Sequence, residues 1–108
     1  MTYNAGIADR AVKVLEGREG LTERKMFGGI TFMLNGNMCC GATNDDLMVR
    51  VGAGGLGDAL DQPHARPMDF TGRPMKGFVF VDAGAVGDRV LRQWIQRGVT
   101  FAESLPAK

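Results

Sequence analysis

No apolar run in this chain approaches the roughly twenty residues that a membrane-crossing helix needs. Nor does a basic start followed by an apolar stretch mark a secretory signal. The cytoplasm is therefore the expected location. Charge of one sign is also missing: thirteen Lys or Arg stand against twelve Asp or Glu, a formal net charge of +1. A broad nucleic-acid footprint normally shows a clear basic excess, so direct DNA binding by this chain alone is not expected. With one histidine and two cysteines, Cys39 and Cys40, the usual four-ligand metal set cannot be assembled. Neighbouring residues of a regular strand point to opposite faces, so a disulfide between these two is not expected either, and two unpartnered thiols suit a reducing compartment.

What is present suffices for one globular domain spanning residues 1–108. With 44% hydrophobic and 23% charged residues, the chain can build a core without metal or cross-links. Asn4 is placed to cap a first helix running to about Glu16, with Gly17 as its stop; Ala8, Ala11, Val12 and Leu15 form its apolar stripe. Arg24–Phe27 reads as an extended lead-in to a hairpin, Ile30–Leu34 and Met38–Ala42, around Asn35-Gly36. A two-residue turn pairs Leu34 with Asn37, Phe32 with Cys39 and Thr31 with Cys40. Asn44-Asp45-Asp46 turns the chain into a further strand, Leu47–Val51.

Gly52–Leu60 reads as a mobile glycine-rich loop ending in a weak helix. The segment from Gln62 to Lys76 holds Pro63, Pro67 and Pro74 and must be extended or turning. Gly77–Asp82 is another strand. The last helix starts near Asp88 as N-cap, burying Leu91, Trp94, Ile95, Ala102 and Leu105, with Gly98 mid-helix for close packing. Together these elements make an α+β fold: two layers, a mainly antiparallel sheet packed by helices.

On this reading Ile30, Phe32, Leu34, Cys39, Leu47, Val49 and Val51 face the helices. Thr31, Met33, Met38, Cys40, Met48 and Arg50 lie on the opposite sheet face. With no helix expected there, Met33, Met38 and Met48 form an apolar interface for a homodimer or a permanent protein partner, Arg50 at its rim.

Three motifs offer chemistry. Gly52-Ala53-Gly54-Gly55-Leu56-Gly57 satisfies G-x-G-x-x-G, and a nucleotide or small-molecule sensor or enzyme would use it with Arg73 and Lys76. Only Gly57–Gln62 remain for a helix before Pro63, however, and Arg50 interrupts the preceding strand. Cys39 or Cys40 with His64 as base lacks a visible orienting group. The basic positions Lys25, Arg50, Arg73 and Lys76, with Arg24 and Arg66, could hold an anion or an acidic partner. No catalytic residue, metal or cofactor is assigned, and the chain is read as a non-enzyme.

Lys25-Met26-Phe27-Gly28-Gly29, Leu47-Met48-Val49-Arg50-Val51-Gly52, Gly72-Arg73-Pro74-Met75-Lys76-Gly77 and the closing Ala102-Glu103-Ser104-Leu105-Pro106, in this order, carry a family resemblance. From about Arg24 to Pro106 the chain resembles the N-terminal domain family of the competence regulator TfoX (Sxy), in its stand-alone form. The resemblance implies a bacterial cytoplasmic domain with the element order α-β-β-β-α-β-β-α and no catalytic residues. It also implies a regulatory module linked to transcriptional control of DNA uptake through protein partners. Full-length regulators of that family carry a second, C-terminal domain that these residues do not include. The glycine-rich Gly52–Gly57 stands where the family more often has a sturdier helix start.

Overall fold

A computed structural model describes residues 4–26, 29–70 and 73–107. Helix α1, Ala5–Leu15, begins where the Asn4 side chain accepts a hydrogen bond from the Gly6 N–H at 2.8 Å. It buries Ile7, Ala8, Ala11 and Leu15, while Val12 is half-buried, and Gly17 turns the chain away at φ +87°. Six strands follow, interrupted once: β1 Leu21–Met26, β2 Gly29–Leu34, β3 Asn37–Thr43, β4 Asp46–Arg50, then helix α2 Leu56–Leu60, then β5 Ala65–Phe70 and β6 Arg73–Asp82. Helix α3, Asp88–Glu103, closes the chain. All strand pairs are antiparallel in the order β1-β2-β3-β4-β6-β5, so the expected α+β class holds.

The element order differs from the implied one by a strand, since four strands rather than three precede α2. The addition is β1, Leu-Thr-Glu-Arg-Lys-Met, which pairs only with β2 at the sheet edge. Its Thr22, Glu23, Arg24 and Lys25 are exposed, and such a polar edge strand leaves no apolar alternation to detect. At the other edge the proline-rich segment is β5, where Pro67 fits because an edge strand can spare a donor.

The hairpin forms at Asn35 (φ +53°) and Gly36 (φ +82°), and Leu34 pairs with Asn37 as expected. Beyond Met33↔Met38 the ladder slips by one residue, so Phe32 lies opposite Cys40 rather than Cys39, and Thr31 opposite Gly41. An extra residue in one strand leaves two residues facing one partner. The bulge returns Cys40 to the helix side: both cysteines join Phe32, Ala42, Val49 and Leu47 in the main core, each with 0% exposure. Alternation alone placed Cys40 on the wrong face because it presumes an unbroken ladder.

Over the main core lie α1 and α3. Residues Leu91, Trp94, Ile95, Gly98, Val99 and Ala102 of α3 are buried. Gly98 is there for contact: a Cβ on it would stand 2.5 Å from the Cys39 carbonyl oxygen. Two expectations for this helix are corrected. Gly87 is the N-cap, and Asp88 is the first helical residue and makes no cap hydrogen bond. Instead Asp88 accepts from Arg10 Nε at 2.9 Å, while the Arg10 guanidinium also donates to the carbonyls of Ala83 and Val86. Leu105 lies beyond the helix and is half-buried.

The opposite face also departs from expectation. Met48, Met68, Phe78 and Phe80 make a second cluster at 1–9% exposure, with Met38 half-buried against it, and Met33 is 7% exposed. This cluster is made of strand residues only. A register shift between Pro67 and Asp69, with Gly77 of β6 at φ +81°, breaks the β5–β6 ladder, and Met68 sits inside that irregularity. Met33 and Met48 are therefore buried within the chain itself, and of the three methionines expected at an interface only Met38 is half-buried.

Candidate functional site

The surface shape with a built floor runs along the outer side of α3. Between α3, the α2–β5 connection and the turn before α3 lies a cleft of about 390 Å³. Trp94 forms its floor, Val90 one wall, and His64, Gln62 and Gln93 its polar rim. Val90, 39% exposed, is the sole exposed large hydrophobic residue among the described residues. His64 adopts φ +67°, and its carbonyl accepts from the Asp82 N–H at 3.0 Å, which fixes the loop at the cleft mouth. A second, shallower cleft of about 440 Å³ adjoins it and continues to Phe101 and Ser104. Gln93 and Arg97 line both. Arg97 divides them, lying 4.9 Å from the Trp94 ring centroid and donating to Asp58 at 2.9 Å. A groove of this size with an apolar floor and amide-bearing walls is suited to holding a side chain or a short segment of another molecule.

The groove itself was not singled out from the sequence, where Trp94 reads as core and His64 as a candidate base for a thiol. Three separate segments contribute its residues, so no local motif exists. One signal was available: Val90 is apolar on a helix face otherwise made of Arg89, Arg92, Gln93, Gln96 and Arg97.

Of the four basic positions expected to share an anion, Lys25 and Arg50 lie apart. Lys25 is exposed on β1 and falls in the Ile30–Ala42–Leu47 row. Arg50 lies opposite Phe78, in a row of the other face. Two strands separate β1 from β4, about 14 Å at the usual strand spacing. The side chains of Arg73 and Lys76 lie outside the described residues. Arg66 pairs with Asp46 and sits over the Phe80 ring, and so serves the fold. Arg50 is half-buried, its guanidinium carbon 5.7 Å from the Phe78 ring centroid and 5.2 Å from that of Phe101.

The two thiols face each other in the core. Their hydrogen bond favours the Cys39 thiolate and pulls its pKa down, and the same bond, with burial, pushes the Cys40 thiol well up. Neither sulfur reaches solvent, and His64 is exposed at the cleft mouth with no hydrogen bond to either. A lowered thiol pKa without access supplies no nucleophile.

The glycine motif is likewise structural. Gly52 (φ +79°) has the Phe101 ring where a Cβ would be, 2.3 Å away, and the Val51 and Gly52 N–H groups both donate to the Gly77 carbonyl. Ala53–Gly55 forms a 3-10 turn, and α2 has five residues. The strand before the motif is antiparallel to both its neighbours, so the dinucleotide crossover is absent. Among the described residues no group of three or more His, Cys, Asp or Glu is placed to hold a metal. No helix among them is long and apolar enough to cross a membrane.

The family model for the TfoX N-terminal domain matches residues 13–102. The chain belongs to the TfoX N-terminal domain family. No curated protein and no solved structure matches it. The TfoX N-terminal domain is a regulatory type of domain linked to competence regulation, and its family is not a known enzyme family. The match begins within α1 and ends near the close of α3, so it takes in the whole sheet and the α3 side of the groove.

Proposed function

We propose that this TfoX N-terminal domain is a non-catalytic regulatory module that acts by contact with a protein partner, within the competence regulation to which its family is linked. The observation that carries the reading is the groove on α3, with Trp94 as its floor and Val90 exposed beside it. A preformed apolar concavity rimmed by amides gives a partner segment both burial and orientation. The near-zero net charge supports a protein partner over a nucleic-acid backbone.

Deletion of the gene should change transcript levels of the DNA-uptake genes and the frequency of transformation. Complementation with the wild-type chain should restore both. Complementation with Val90→Glu should not, although the variant folds, because Val90 is exposed and touches the core little. A deletion without effect on either readout overturns the competence role. A thermal shift with nucleotides or metabolites would favour a sensor instead, since ligand at 100 times its dissociation constant stabilises by about 2.7 kcal/mol.

A further inference from the structure

Four arginines of the described chain share a pattern. Arg10 pairs with Asp88, Arg18 with Glu103, Arg66 with Asp46 and Arg97 with Asp58. Arg50 breaks it. Half-buried like Arg10, Arg18 and Arg97, it has two rings and no carboxylate or hydrogen-bond acceptor among the described residues.

The rings are held for it. Phe78 is the cross-strand neighbour of Arg50 on β6 and belongs to the second cluster. Phe101 comes from the last turns of α3 and occupies the space that the missing side chain of Gly52 leaves open. A guanidinium stacked on aromatic faces keeps its N–H donors in the ring-parallel plane, aimed outward, and loses little freedom when an acceptor arrives. Planar donors of this kind match a carboxylate through two parallel hydrogen bonds.

We propose that Arg50, clamped by Phe78 and Phe101, is a docking point for a carboxylate side chain in an acidic segment of the protein partner. It rests on the interaction-module reading and names the chemistry of the partner. Four of the chain's twelve carboxylates pair with the other four arginines, and none among the described residues pairs with Arg50, whose fork is left for an acceptor on a partner. A single fork suits one carboxylate, whereas a nucleic-acid backbone would call for an array of cations.

The test follows the Arg50 Nε–H resonance by NMR while a short glutamate-rich peptide is added to the whole chain. A saturable shift is expected, absent with the glutamine version of the peptide and at exposed Arg92. Arg50→Lys keeps the charge but loses the fork, and should weaken peptide binding at least tenfold with the near-ultraviolet circular dichroism of Trp94 unchanged. Phe101→Leu loosens the clamp and should weaken binding by a smaller factor. Equal shifts at Arg92, an unchanged affinity in Arg50→Lys, or saturation by inorganic phosphate but not by the peptide would overturn the proposal. If wild type restores uptake-gene transcription and Arg50→Lys does so equally, the clamp fails while the module reading stands. If wild type has no effect on transcription, the module reading fails, and the peptide titration still decides whether the clamp takes a carboxylate.

Discussion

On one side of the sheet Cys39, Cys40, Val49 and Leu47 share a core with α1 and α3; on the other Met48, Met68, Phe78 and Phe80 form a cluster drawn from strands among the described residues. The helix side is closed by small residues at close quarters, with Ala8 and Ala11 on α1 and Gly98 against the Cys39 carbonyl. The strand side is closed by long, adaptable side chains. Met48 lays its methyl group beside Gly41, about where a side chain on that glycine would sit, and Phe80 lies under Arg66. Small residues specify a position because nothing can move to absorb an error. Methionine fills irregular space and tolerates it.

The largest effect is expected on the strand side, from a charge. Met48 is 2% exposed, and Met48→Glu places a carboxylate there with no cationic partner in its own cluster. The loss should be on the order of 4 kcal/mol or more, much of a small domain's stability. Thermal melts over a range of protein concentrations check it. A melting temperature that falls equally at every concentration marks Met48 as interior. A fall confined to high concentration would restore the intermolecular face that the methionine pattern suggests.

Trp94→Ala tests the other side. The indole is 3% exposed, packs among Ile95 and the core, and floors the groove. Its removal should cost about 3–5 kcal/mol, measured by denaturant unfolding, and wild-type fluorescence should be blue-shifted. A red-shifted native indole would contradict the packing of α3.

Much of this comparison was legible in the sequence, and the lapses have physical causes. The cap at Asn4, the Asn35-Gly36 turn, the Trp94 stripe and the packing role of Gly98 rest on local rules, and each is where those rules place it. Cys40 failed because a bulge reverses alternation and carries no composition signal of its own. Strand β1 reads only in part, as an extended lead-in from Arg24, because an exposed edge strand has no apolar face to mark its start at Leu21. Met48 reads as open surface because nothing local announces that Met68, Phe78 and Phe80 of β5 and β6 cluster with it. The groove failed for a related reason: Gln62, His64, Val86 and Trp94 meet only in the folded chain.

Gly98→Ala sharpens the claim that the helix side tolerates no added atom. Alanine would gain about 1 kcal/mol of helix propensity over glycine. The new Cβ, however, meets the Cys39 carbonyl oxygen at 2.5 Å, a backbone atom that can yield only by moving β3 or α3. Overpacking of this kind costs about 1–3 kcal/mol, so the net change should be a loss of up to about 2 kcal/mol. An increase in stability on urea unfolding would show that α3 rides free of the sheet at that point.

The smallest expected effect has the opposite sign, and it belongs to the strand side. Thr31 is 1% exposed, and its hydroxyl oxygen has no hydrogen-bond partner. Its row runs across the sheet through Arg24, Thr31, Gly41, Met48, Phe80 and Arg66. Its two cross-strand neighbours are Gly41, which has no side chain, and Arg24, which is exposed and makes no hydrogen bond to the hydroxyl. Burying an unpaired polar group costs about 1–3 kcal/mol relative to an apolar group of the same shape. Valine has that shape, with a methyl group in place of the hydroxyl, and a strand favours both residues for their branching. Thr31→Val should therefore raise stability by about 1 kcal/mol, read as a higher urea midpoint with an unchanged slope. A lower midpoint would mean that the hydroxyl is satisfied, by a trapped water or by a rotamer reaching a backbone carbonyl, and that the strand side is wetter than its methionines suggest.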